Sequence, residues 1–142
     1  MDYLSAFSIA AAGMAVEKAR VDLAAANLSH ANAVLEPGKA GWRPARLVVN
    51  SGSFASVLGG VDTGMSLPRI RGVQQLDLPP RLEHQPGHPQ ADGQGYIRYA
   101  NVNQLDETLT IMQATQAYKA NLSAVSAARS MAQKALEIGG RR

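Results

Sequence analysis

The sequence predicts a mainly α protein: long N- and C-terminal helices pairing as an antiparallel, coiled-coil-like hairpin, with a small β-rich, irregular insert between them. Three observations predict it. Residues 3–31 contain no proline and one glycine, Gly13. All seven prolines of the 142-residue chain, and most of its glycines, fall between about Asn32 and Tyr99. From Asn103 to Ile138 neither residue occurs. Proline and glycine interrupt regular structure, so this partition reads as helix, insert, helix. The expected division is 1–32, 33–100 and 101–142, with the terminal helices forming one packing unit.

The first helix carries a heptad register. Leu4, Phe7, Ala11, Met14, Lys18, Val21, Ala25 and Leu28 follow alternating steps of three and four, a seam for another helix. Lys18 can lay its stem along that seam with the charge outside. Asp2 is positioned as an N-cap. The helix gives out in "ANLSHAN", Ala26 to Asn32. Two readings of its polar residues stand together: a helix end satisfied by side chains, or an amide at Asn27, beside Leu28, that faces a partner and sets register.

The last helix has two adjacent seams. One runs Ile111, Thr115, Tyr118, Leu122, Val125, Arg129, Ala132 and Leu136. The other runs Ala114, Ala117, Asn121, Ala124, Ala128, Met131, Ala135 and Ile138, and Leu105, Leu109 and Met112 enrich the first turns. One stripe needs one neighbour, and two stripes imply at least two. Asn103 followed three residues later by Asp106 resembles a capping box, and Gly139-Gly140 is a stop signal.

Within the insert, "RLVVN" (Arg46–Asn50) and "GVQQLDL" (Gly72–Leu78) are short β-like runs. Gly52, Gly59-Gly60 and Gly64 between them mark turns, and Pro79-Pro80 ends the second run because proline cannot donate to a ladder.

Composition excludes several function classes. The net charge is +3, but Arg43, Arg46, Arg69, Arg71, Arg81 and Arg98 are interrupted by acids rather than clustered, so no nucleic-acid partner is expected. There is no cysteine, hence no disulfide and no thiolate metal site. No apolar run approaches the ~20 residues of a membrane span, and the first charge, Asp2, does not fit a cleavable secretory signal. His84 and His88 have helical metal-ligand spacing, but Pro86-Gly87 between them prevents a helix. "DGQG" (Asp92–Gly95) reads as a tight turn rather than a calcium loop. Asp106 and Glu107 are adjacent and point in different directions, a poor arrangement for paired carboxylates. No catalytic residue, cofactor site or metal site is expected.

At this point the chain resembles the flagellar basal-body rod proteins, specifically the proximal-rod FlgC family. "LSAFSIAAAGM" and Ala25, Asn27 and Leu28 match the family's opening helix and its A-x-N-L-A-N pattern, with Ser29 and His30 where Ala and Asn are usual. "QPGHPQADGQGYIRYANVN", Gln85 to Asn103, follows the family's more specific pattern. Its matching positions here are Pro86, Pro89, Ala91, Asp92, Gly95, Tyr96, Asn101 and Val102, with Ala100 where proline is common. "QAYKANL" and "ARSMAQKALEI" extend the likeness through the last helix.

The resemblance implies a structural role without enzymatic activity. It implies export by the flagellar type III apparatus and assembly in the periplasmic rod. The implied partners are copies of the chain, FlgB, FlgF, FlgG, the adaptor FliE and the membrane-embedded MS ring. Heterologous contacts that do not close build such helical tubes, and each needs two different surfaces on one subunit. The expected subunit-interface residues are Leu4, Phe7, Ala11, Met14, Val21, Asn27, Leu28, Leu109, Met112, Tyr118, Asn121, Leu122, Ala124, Val125, Ala128, Met131 and Leu136. The alternative is a coiled-coil secretion substrate or adaptor that dimerises without forming a filament.

Overall fold

The computed structural model describes residues 3–36, 41–50 and 67–139. Helix α1 (Tyr3–Ser29) is followed by strands β1 (Ala45–Asn50), β2 (Arg69–Gln75), β3 (Arg81–His84) and β4 (Tyr96–Tyr99), then helix α2 (Gln104–Gly139). Asp2, the side chain of Leu4, and the glycines at 52, 59, 60, 64 and 140 lie outside the described residues. The two helices pack together with the strand-containing insert between them in sequence, as the proline partition predicts.

The start of α2 shows why it begins where it does. Asn103 Oδ1 accepts from the N–H groups of Leu105 (3.1 Å) and Asp106 (3.4 Å), satisfying donors that have no partner inside the helix. Asn103 Nδ2 donates in turn to the Asp106 carboxylate at 2.8 Å. Asp106 and Glu107 add negative charge in the first turn, where the helix dipole favours it.

The strands form two small sheets among the described residues, β1 with β2 and β3 with β4. β1 falls on the run read as a strand. β2 begins three residues before Gly72 and ends at Gln75, short of the proline pair; just past it the Leu76 N–H donates to the Pro44 carbonyl at 2.7 Å, beside the start of β1. β3 and β4 had no sequence signal. They pair antiparallel, Arg81 opposite Tyr99 and His84 opposite Tyr96. The free side of β4 takes a third segment: Leu35 N–H donates to Arg98 O (2.7 Å) and Ala100 N–H to Ala33 O (3.1 Å). The second of these is a bond proline at position 100 could not make.

The chain gathers into two compact units. One comprises 1–19, 48–72 and 113–142, the other 20–47 and 73–112, so each helix contributes to both. In the first unit, Ala10, Val16, Ala114 and Ala128 are buried, and a Cβ on Gly13 would lie 2.8 Å from Asn121 Nδ2. In the second, Ala24, Asn27, Ala31, Ala45, Ile97 and Ala100 are buried, and Asn27 bonds Glu107. Later residues of α1 thus meet earlier residues of α2, which is the antiparallel arrangement.

Candidate functional site

Two features carry the chemistry of this molecule: a buried amide at the end of α1, and the surface that α2 turns away from α1.

Asn27 is 1% exposed. Its Nδ2 donates to the Ala45 carbonyl (2.9 Å) and to Glu107 Oε1 (3.0 Å), and its Oδ1 accepts from the Ala45 N–H (3.1 Å). One side chain therefore joins the end of α1, the start of β1 and the start of α2. Both amide hydrogens are used, so its burial is compensated. His30, in the turn after α1, does something different. Its ring stacks on Trp42, centroids 3.8 Å apart and planes within 7°. Its Nδ1 lies 2.9 Å from the Ala26 carbonyl and 3.0 Å from the Ser29 hydroxyl. Asn32 is exposed, with a long 3.5 Å contact to Gln104. Asn27, His30 and Asn32 of "ANLSHAN" thus separate into a pin, a stack and a surface residue.

The segment from Gln85 to Asn103 is a turn built on Asp92. Its Oδ1 accepts from the N–H groups of Gln94 and Tyr96, both at 2.9 Å. Those bonds, first to Tyr96 and then to Gln94, hold the Asp92 carboxyl below its ordinary value. Gly95 takes φ +80°, and a Cβ there would press on Pro86 at 3.0 Å. Gln85 N–H closes the base on Gly95 O at 2.8 Å. Pro86 and Pro89 are exposed, and Tyr96 tilts against His84 at 4.9 Å. Asn101 Nδ2 donates to Pro79 O at 2.9 Å, while Val102 is half-buried. His84 and His88 remain in this loop, and among the described residues no group of three or more His, Asp or Glu gathers as a metal site would require.

The face α1 presents to α2 differs from the heptad seam read in the sequence by one residue, about 100° of helix. Ala10, Ala24 and Asn27 are buried and Gly13 lies against Asn121, each one position before a seam residue (Ala11, Ala25, Leu28 and Met14); Val16, off both registers, is buried as well. Ala11, Met14, Val21 and Leu28 form a half-buried shoulder, and Phe7 is 49% exposed. On α2, Glu107, Ala114, Asn121 and Ala128, spaced by sevens, supply the inner contacts. Small residues let the backbones approach closely, and the Asn121 amide fills the space left by Gly13. Larger side chains of the predicted seams stay outside: Leu109, Met112, Tyr118, Leu122, Met131 and Leu136 are exposed, as is Ala124, while Val125 is half-buried.

α2, at 36 residues, is longer than α1, at 27. With Gly13 against Asn121, antiparallel counting brings Tyr3, the first described residue of α1, opposite Met131. About two further turns of α2 continue beyond it. On them Leu136 and Ile138 are more than three-quarters exposed. Among the described residues no helix is long and apolar enough to cross a membrane.

Residues 94–138, β4 through α2, match the family model described as flagellar basal body rod FlgEFG protein C-terminal. The FlgC basal-body rod protein of Salmonella typhimurium is 30% identical over 140 residues, 98% of this chain and 99% of that one. The FlgC of Escherichia coli O6:H1 is 31% identical over 98% of this chain and 99% of its own length. That of Bacillus subtilis is 27% identical over equal shares. Fold and comparisons together define the class, a structural protein of the flagellar basal-body rod. Within it, this chain belongs to the FlgC family.

Proposed function

We propose that the chain is a proximal-rod subunit that assembles into a helical tube and transmits torque from the motor ring towards the hook. The observation that carries this is the row of large apolar side chains left outside by the small-residue helix pair. A folded subunit that leaves leucines, methionines and a phenylalanine on its helices has surface to bury against neighbours. In this reading the terminal helices are the assembling parts, and 33–100 is an insert held to them by Asn27. Phe7, Leu109, Met112, Leu122, Met131 and Leu136 carry the contacts, and the Asp92 turn orients the approach to α2. The neighbours are copies of the chain, FlgB, FlgF, FlgG, FliE and the MS ring, reached after type III export to the periplasm. The dimerising adaptor remains the second reading, since one exposed seam would also serve a closed dimer.

Deleting the gene and imaging cell-envelope motors by electron cryotomography, with complementation, tests the proposal. Basal bodies that keep the membrane ring but lack a rod, restored by complementation, are expected. Intact rods in the deletion strain would move the adaptor to first place.

A further inference from the structure

We propose that Met112 and Met131 are oxidation sites through which peroxide keeps free subunits from assembling; the link to assembly rests on the rod reading above. The chain has no cysteine, so no thiol intercepts an oxidant before methionine does. Met112 is 61% exposed and Met131 52%, whereas Met14 is half-buried on the shoulder of α1. Both exposed sulfurs belong to apolar ridges with steps of four and three, Leu105–Leu109–Met112 at the start of α2 and Met131–Ala135–Ile138 at its end.

The chemistry is an oxygen-atom transfer. A thioether lone pair attacks one oxygen of hydrogen peroxide, the O–O bond breaks as the S–O bond forms, and water leaves. Sulfur loses two electrons and the peroxide gains them. The product sulfoxide is polar and chiral, and burying it in an apolar contact leaves its oxygen without a hydrogen-bond donor. Both side chains are exposed rather than among the buried residues of the helix pair, so the subunit's own fold tolerates the change while an outer contact does not. Once that contact is made the sulfurs are covered, which confines the effect to subunits awaiting assembly. Methionine sulfoxide reductases reverse it.

The test has two arms. The purified full chain is treated with dilute hydrogen peroxide and sampled for peptide mass spectrometry; Met112 and Met131 are expected to gain oxygen several-fold faster than Met14. Equal rates at the three sites would overturn the site assignment. In the second arm, cells carrying either the natural chain or the Met112→Leu/Met131→Leu variant are pulsed with peroxide, and incorporation into basal bodies is measured. Each chain is scored against its own untreated level: the natural chain is expected to lose incorporation several-fold on peroxide treatment and the variant to show no further fall from the level it starts at; equal fractional losses overturn the link to assembly. A natural chain absent from untreated basal bodies would instead overturn the rod reading, and the first arm would still judge the sites.

Discussion

The inner and outer faces of α2 differ in side-chain size. Inside stand Ala114, Asn121 and Ala128; outside stand Leu105, Leu109, Met112, Leu122 and Met131. A self-sufficient two-helix fold would place the large residues inside, because buried area scales with side-chain size and stabilises at about 25 cal/mol per Å2. Here the interior relies on close approach and on two amides, Asn27 and Asn121, while the larger apolar area stays at the surface. The fold is held by fit, and its larger apolar side chains stand at the surface, where the proposed rod contacts would bury them.

Substitutions can break each side of this contrast. The largest loss of stability is expected for Asn27→Leu. It strands the N–H and C=O of buried Ala45 and the Glu107 carboxylate, at about 2–4 kcal/mol in total; a denaturation midpoint unchanged from the natural chain would refute the pin. Gly13→Val comes next, since the new side chain overlaps Asn121. Overpacking of that kind costs about 1–3 kcal/mol. Adding Asn121→Ala should recover part of the loss in a double-mutant cycle, and strict additivity would mean the two residues are not in contact. Leu122→Asp should shift stability by no more than about 0.5 kcal/mol, as exposed positions do, yet keep the chain out of basal bodies. Normal incorporation of that variant would remove Leu122 from the interface.

The smallest effect concerns the Asp92 turn and depends on pH. The folded carboxyl lies below the unfolded value of 3.8, so its stabilisation is present above about pH 4 and is lost as pH falls through the folded value. Amide-proton NMR should show the Gln94 and Tyr96 bonds intact from neutral pH down to about pH 5 and weakening below 3.8. Identical behaviour in Asp92→Ala would assign the change elsewhere.

The helices were legible because their signal is local: the absence of proline and glycine placed both ends within two residues. β1 was legible for the same reason. β3 and β4 were not, since "RLEH" exposes all four side chains and "YIRY" buries only Ile97, leaving no alternation to read. On α1 the inner face lies one residue from the heptad seam, because hydrophobic periodicity marks where large apolar side chains recur and this helix turns Phe7 outward; on α2 the buried Ala114 and Ala128, with Asn121, fall on the second seam read in the sequence. Asn27 could be singled out as a polar residue among apolar ones. Its partner could not, because it is backbone, at Ala45, and no side-chain pattern encodes it. His30 gave no hint of Trp42, twelve positions along a stretch rich in loop residues.

That stack gives the molecule an optical reporter. Trp42 is the chain's single tryptophan, held face to face with His30 beside the Asn27 junction. Its emission therefore follows the unit built from 20–47 and 73–112, while far-ultraviolet ellipticity follows helix throughout the chain. Melting curves recorded by the two signals would coincide if the units unfold together and separate if the junction opens first. The natural sequence thus permits a test of cooperativity with no label attached.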